Sequence, residues 1–177
     1  MIRRAGIAGL LAMALVAAPP VVARPPDVMA CAIKAAPEGL EARVGAAMLA
    51  PSTPAAAQTQ ADVRALSDAC AYEQLLSDVQ REAYFGYTWG RMGRDALDGR
   101  MAALGISAAL IDTALDIGPG NTNNPAEQVT RGDLRRVGEA LDAAGKPQAS
   151  VTSEGWQLIT AWIMATAQMF DGQRQLD

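Results

Sequence analysis

The chain has 177 residues, with 15 lysines and arginines against 19 acidic residues and no histidine. The acidic balance disfavours nucleic acid, which is bound chiefly by neutralising phosphates, and equally disfavours adhesion to anionic lipid. Without histidine, the commonest general base and metal ligand is missing, and no Ser–His–Asp or Cys–His nucleophile can be assembled.

The chain opens on "MIRR", then an uncharged run rich in alanine, leucine and valine over residues 5–18, then "PPVVA". A basic head, a short apolar core and small residues make the pattern of a secretory signal peptide, with cleavage expected after Ala23. The apolar run falls short of the roughly 20 residues that span a bilayer, and Pro19 and Pro20 would end a helix. A retained N-terminal anchor is the alternative. Lipid attachment at Cys31 in "VMAC" is disfavoured, because Arg24, Pro25, Pro26 and Asp27 separate that cysteine from the apolar core. Residues 1–23 are therefore assigned as signal peptide and residues 24–177 as a single all-α domain. Loss of Arg3 and Arg4 leaves 13 basic residues against 19 acidic ones, a balance of about −6. The expected location is periplasmic or extracellular, with no stable membrane span after cleavage. An oxidising compartment favours joining Cys31 to Cys70, the only two cysteines.

Aromatics are scarce, alanine is abundant and β-branched runs are almost missing, which favours helices. The pattern predicts a small bundle of six or seven helices and no strand. Two short helices are expected before Pro51, with Leu40, Val44, Ala47 and Met48 at helical spacing. "PSTPAAAQTQ", residues 51–60, reads as a low-complexity connector. A long helical pattern then begins near Asp62 and carries Val63, Leu66, Cys70, Leu75, Leu76 and Val79.

"REAYFGYTWGRMGRDALDGR", residues 81–100, concentrates aromatics, glycines and arginines. Wound as a helix, it puts Val79, Ala83, Gly86, Gly90, Gly93 and Leu97 in one stripe, with Phe85, Trp89, Met92 and Ala96 beside it. Tyr84, Thr88, Arg91, Asp95 and Asp98 fall opposite. Arg91–Asp95 and Arg94–Asp98 are spaced to pair. Each interior glycine costs about 1 kcal/mol against alanine, so the stripe needs a compensating reason. Close approach of another helix, with Trp156 or Trp162 filling beside it, is the favoured one. The functional alternative is a shallow slot walled by Phe85 and Trp89 and rimmed by Arg91 or Arg94. Tyr84, Tyr87, Arg91 and Arg94 could form a cation–π patch or a merely solvated face. A break at Gly86 or Gly90 would instead leave the aromatics on a turn.

Ser107 is placed to cap "ISAALIDTALDIG", and residues 118–129 form a turn-rich loop. Thr130 stands three residues before Asp133, close to a capping box, and Gly145 ends that helix. The last helix, expected from Glu154 to about Phe170, has no charge between Gly155 and Phe170, which places it in the middle of the bundle. "RGD" at Arg131, Gly132 and Asp133 falls in a helical first turn and is dismissed as a recognition tripeptide. "DIGPGNTNN" lacks the carboxylates of a calcium loop, and "GPGN" the lysine of a phosphate loop.

This plan has the general style of small exported bacterial proteins and assigns no functional residue. It predicts a protein of binding or structural type without catalytic constellation, metal or cofactor, contacting another protein or an envelope component around Phe85, Trp89 and Arg94. Two other readings stay open. One is an envelope hydrolase using carboxylates such as Glu73, Glu82, Glu139 and Glu154, and the other a carrier with an internal cavity of at least about 300 Å³.

Overall fold

The computed structural model describes residues 26–118 and 129–176; the expected signal peptide and nearly all of the turn-rich loop lie outside them. The described residues are helical, without a strand. A single turn, α1 (Pro26–Met29), precedes seven helices: α2 (Cys31–Ala35), α3 (Leu40–Leu49), α4 (Pro54–Glu73), α5 (Asp78–Ala103), α6 (Ala108–Leu115), α7 (Arg131–Ala143) and α8 (Ser153–Leu176). A 3₁₀ turn, Gln148–Ser150, separates the last two.

The expected connector at 51–60 is instead mostly helix. Thr53 caps α4 by accepting from the Ala56 amide, and Pro54 occupies the first helical turn. A missing N–H costs nothing there, and the alanines that follow are strong helix formers. The continuous pattern expected from Asp62 through Val79 is also corrected. α4 stops at Glu73, Leu75 turns left-handed at φ 55°, and Ser77 caps α5 in a capping box with Gln80.

α5 runs unbroken through all its glycines and forms the most extensive pairing of the fold with α8. A β-carbon on Gly90 would meet the Ala165 carbonyl and the Met169 amide at 2.5 Å; one on Gly172 would meet the Ala83 carbonyl and the Tyr87 amide at the same distance. The two helices are therefore antiparallel and in backbone contact at both points, which is the compensation the glycines require. Gly86 has nothing within 4 Å and takes no part in it. Val79 departs from the expected stripe and is 71% exposed.

Three apolar clusters surround this pair. The largest joins the C-terminal half of α5 to α6, α7 and α8 through Leu97, Met101, Ile111, Val137, Leu141 and Trp162. A second packs Leu40, Val44, Val63, Phe85 and Met92 between α3, α4 and α5. The third gathers Met29, Ala32, Cys70, Ala71 and Tyr84 around the Cys31–Cys70 disulfide, whose Cα atoms are 6.0 Å apart. Trp162 is fully buried within the largest cluster, whereas Trp156 stays half-buried.

Local signals hold at the helix ends. Ser107 accepts from the Leu110 amide, and Gly145 takes φ 80° after α7. Thr130 and Asp133 form a reciprocal capping box, closed by Thr130 N–H to Asp133 Oδ2 at 2.8 Å and by Arg136 to Oδ1 at 2.6 Å. Burial would raise the Asp133 carboxyl, but these hydrogen bonds outweigh it and leave it below the ordinary aspartate range. The Asp133 carboxylate of the "RGD" tripeptide is thus buried in the cap of α7.

Candidate functional site

The six residues singled out in α5 do not share one surface. Tyr84 is fully buried, contrary to its expected place on the solvated side. Its hydroxyl accepts from the Ala32 amide at 3.2 Å and lies 3.3 Å from the Met29 carbonyl, so it holds the N-terminal turns. Thr88, placed on that same side, is also fully buried. The reason is that α5 is covered on several sides: α8 lies on its glycine seam, α3 and α4 pack beside it, and α2, α4 and the end of α8 surround Tyr84.

Phe85 is 6% exposed and lies under the Arg64 guanidinium, 3.6 Å from its ring centroid. Arg64 is in turn clasped by both oxygens of Glu82. The Phe85 ring stacks toward Trp89 at 6.2 Å, so these two do meet, but only Trp89 remains half-buried at the surface. Tyr87 sits 6.4 Å from the Tyr84 ring. Burial pushes the Tyr87 phenol up, partly countered by Arg91 beside it. Arg91 pairs with Asp95 at 2.6 Å, as its spacing predicts.

Arg94 does not rim a slot. It reaches α6 and donates to Asp112 at 2.8 Å while lying 5.1 Å from the Trp162 ring centroid. The expected Arg94–Asp98 pair gives way to this inter-helix one. Burial raises the Asp112 carboxyl despite Arg94, and Asp98 nearby adds to the rise. The arrangement is a strut between α5, α6 and α8.

The concave surface lies on the other side of Trp89. A groove of about 230 Å³ runs between α3, the start of α4 and the middle of α8, lined by Met48, Trp89, Met164, Ala161, Gln60 and Gln168 among others. A second, wider groove of about 360 Å³ continues it past Leu49, Trp156, Gln157 and Thr160, sharing Met48, Ala161 and Met164. A third, about 330 Å³, adjoins at Ala47 and Ala56 and has Arg43 as its one charged lining residue. No ionisable side chain lines the first two. They are lined mainly by methionine, tryptophan and alanine, and their polar side chains are glutamines and a threonine. Met164 stands 44% exposed at their shared centre.

Such a surface can desolvate apolar groups and offer amide hydrogen bonds, and flexible methionines let it adapt to shape. All three grooves are free of carboxylates and open to solvent, not enclosed. The four glutamates considered for hydrolysis are exposed, and Glu82, Glu139 and Glu154 are each paired with an arginine. Among the described residues, no group of three or more Asp, Glu or Cys is arranged to hold a metal ion.

Sequence reasoning missed Met48, Leu49, Trp156 and Met164. For the two α8 residues, Trp156 and Met164, a signal was present: Gln157, Thr160, Ala161, Met164 and Gln168 recur at helical spacing within the uncharged stretch 155–170. That stripe was absorbed into the expectation of an all-round core helix.

No family model, no curated protein and no solved structure matches this chain. The groove must therefore be interpreted from its own chemistry.

Proposed function

We propose that the protein is a small exported binding protein that engages an apolar surface of another macromolecule through the Trp89–Met164 groove. The carrying observation is that groove itself: a concave strip lined by exposed methionine and half-buried tryptophan, without a charged side chain. Open clefts of this kind suit the knobs of an amphipathic partner better than a small molecule, most of whose surface would be left in water. The centre of contact thus shifts from Phe85 and Arg94, which serve the fold, to Trp89 with α3 and α8.

Export rests on the leader-like opening sequence and agrees with a closed disulfide. Among the described residues no helix is long and apolar enough to cross a membrane. Sequencing the N-terminus of protein recovered from outside the cytoplasm is expected to begin at Arg24. A start at Met1 would mean an unprocessed leader and end this part of the proposal.

The groove is tested with Nile red, a neutral dye that fluoresces in apolar surroundings. Dilute protein should brighten it, and Met164→Glu should remove most of that gain, because a carboxylate at the groove centre resists desolvation. Met164 is exposed enough for the fold to survive the change, which circular dichroism verifies. Equal brightening by both proteins would place the apolar site elsewhere.

A further inference from the structure

Both cysteines are joined in the disulfide, so no free thiol competes for an oxidant, and the thioethers become the groups most readily oxidised. The methionines of the described residues differ sharply in access. Met29, Met92, Met101 and Met169 are buried, none more than 6% exposed. Met164 is 44% exposed and Met48 is half-buried. Met48 and Met164 line the grooves beside Trp89 and Trp156; the buried four do not.

The two accessible thioethers are not equivalent. The Met48 sulfur lies against Gly93, where an added β-carbon would overlap it, so an oxidant reaches it only after the side chain swings away from α5. Met164 instead opens to solvent at the centre the two grooves share. Oxidation turns a flexible apolar side chain into a polar one. A sulfoxide oxygen accepts hydrogen bonds and resists desolvation unless it is paired. Gln168, four residues on along α8, lines the same groove, and its amide can donate to that oxygen, as side chains one helical turn apart do. The middle of the groove would then hold a hydrated or amide-bound oxygen in place of an apolar surface.

We propose that Met164 is a site of oxidation by hydrogen peroxide and that its sulfoxide closes the groove to apolar partners. The proposal rests on the groove reading given above, to which it adds regulation. In the step, a lone pair of the Met164 sulfur attacks one peroxide oxygen, and the S–O bond forms as the O–O bond breaks. The departing oxygen takes the proton of the transferred hydroxyl and leaves as water. Sulfur loses the electron pair that the peroxide gains. A methionine sulfoxide reductase, drawing its electrons from thiols, is the class of enzyme that resets the site.

Limited hydrogen peroxide, removed by gel filtration before any measurement, tests this on the folded parent. Peptide mass spectrometry with fragmentation, which separates Met164 from Met169, should find Met164 oxidised roughly tenfold faster than any buried methionine, with Met48 second. The Nile red gain should fall about fivefold in step with Met164 oxidation, while circular dichroism is unchanged. Met164→Leu keeps an apolar side chain of similar volume without the sulfur. Whatever gain that variant shows, the same treatment should change it less than about twofold. Met164→Glu tests the groove without an oxidant. A parent whose dye gain survives complete Met164 oxidation, yet is lost on Met164→Glu, overturns the switch and leaves the groove standing. Equal gains in the parent and Met164→Glu end the groove reading and the switch with it. Equal oxidation of Met164 and the buried methionines, or a peroxide loss in Met164→Leu as large as the parent's, also overturns the assignment to Met164.

Discussion

Gly90→Ala is expected to destabilise the protein by about 2–3 kcal/mol, although alanine is the better helix former by about 1 kcal/mol. The added methyl would sit 2.5 Å from the Ala165 carbonyl and the Met169 amide. Both are backbone atoms of a helix locked in the bundle, so relief requires moving α8 bodily from α5. Gly172→Ala meets the same obstacle at Ala83 and Tyr87 and should cost a similar amount. Gly86→Ala and Gly99→Ala, with nothing within 4 Å, should instead stabilise by roughly 0.5–1 kcal/mol. Urea denaturation of the four variants decides the matter, because opposite signs are expected from the same chemical change in the same two helices. A Gly90→Ala protein as stable as the parent would show that α5 and α8 do not touch at this point. Gly93 is intermediate: its added methyl would strike the end of the Met48 side chain, which can swing aside. Since Met48 lines the groove, that variant should reshape the binding surface more than it weakens the fold.

Opening the Cys31–Cys70 disulfide is expected to cost about 4 kcal/mol, the entropy recovered by an unfolded chain freed of a loop spanning 39 positions. Cys31→Ala/Cys70→Ala, compared with the parent in urea with and without dithiothreitol, measures it. The parent's midpoint should fall on reduction, whereas the double variant should start low and ignore the reductant. An unchanged midpoint would mean that the bond constrains nothing. The loss should be uneven in space. α2 is tied to the rest by the disulfide and by the hydroxyl of Tyr84 accepting from Ala32, so the N-terminal turns should lose hydrogen-exchange protection first. The part of the α5–α8 seam around Gly90, away from Tyr84 and the disulfide cluster, should keep more of its protection. A reducing compartment would thus hold a weakened protein, which gives the exported reading a physical stake.

Much of the local architecture was legible in the residues. Ser107, Thr130 and Gly145 act where they were placed, because capping depends on atoms within four positions along the chain. The one possible cysteine pairing is the one formed. Two helix boundaries were misread for local reasons as well. Alanines after Pro54 resemble a low-complexity tract as much as a helix, and only Thr53 with Pro54 distinguished them. At Leu75 the usual glycine punctuation is missing, so the pattern seemed to continue through a turn.

The site was less legible. Tyr84 and Phe85 look like recognition residues in a helix read alone, yet both are covered by neighbours that the helix cannot specify. Arg94 had a suitable partner four residues on and took Asp112 eighteen residues away, because α6 brings that carboxylate against it. Trp89 stays half-buried because a groove remains between it and α3, α4 and α8.

By itself, then, the sequence determined the helical class, most helix ends, the single cysteine pair and the uncharged stretch 155–170 inside α8. Each follows from short-range spacing or from simple counting. The tertiary structure alone decided which faces are sealed and which stay open: the glycine seam, the burial of Tyr84, the groove beside Met164 and the exposure of Leu75. A helix has more than one apolar side to offer, and what covers each side is fixed by packing between segments far apart in the chain.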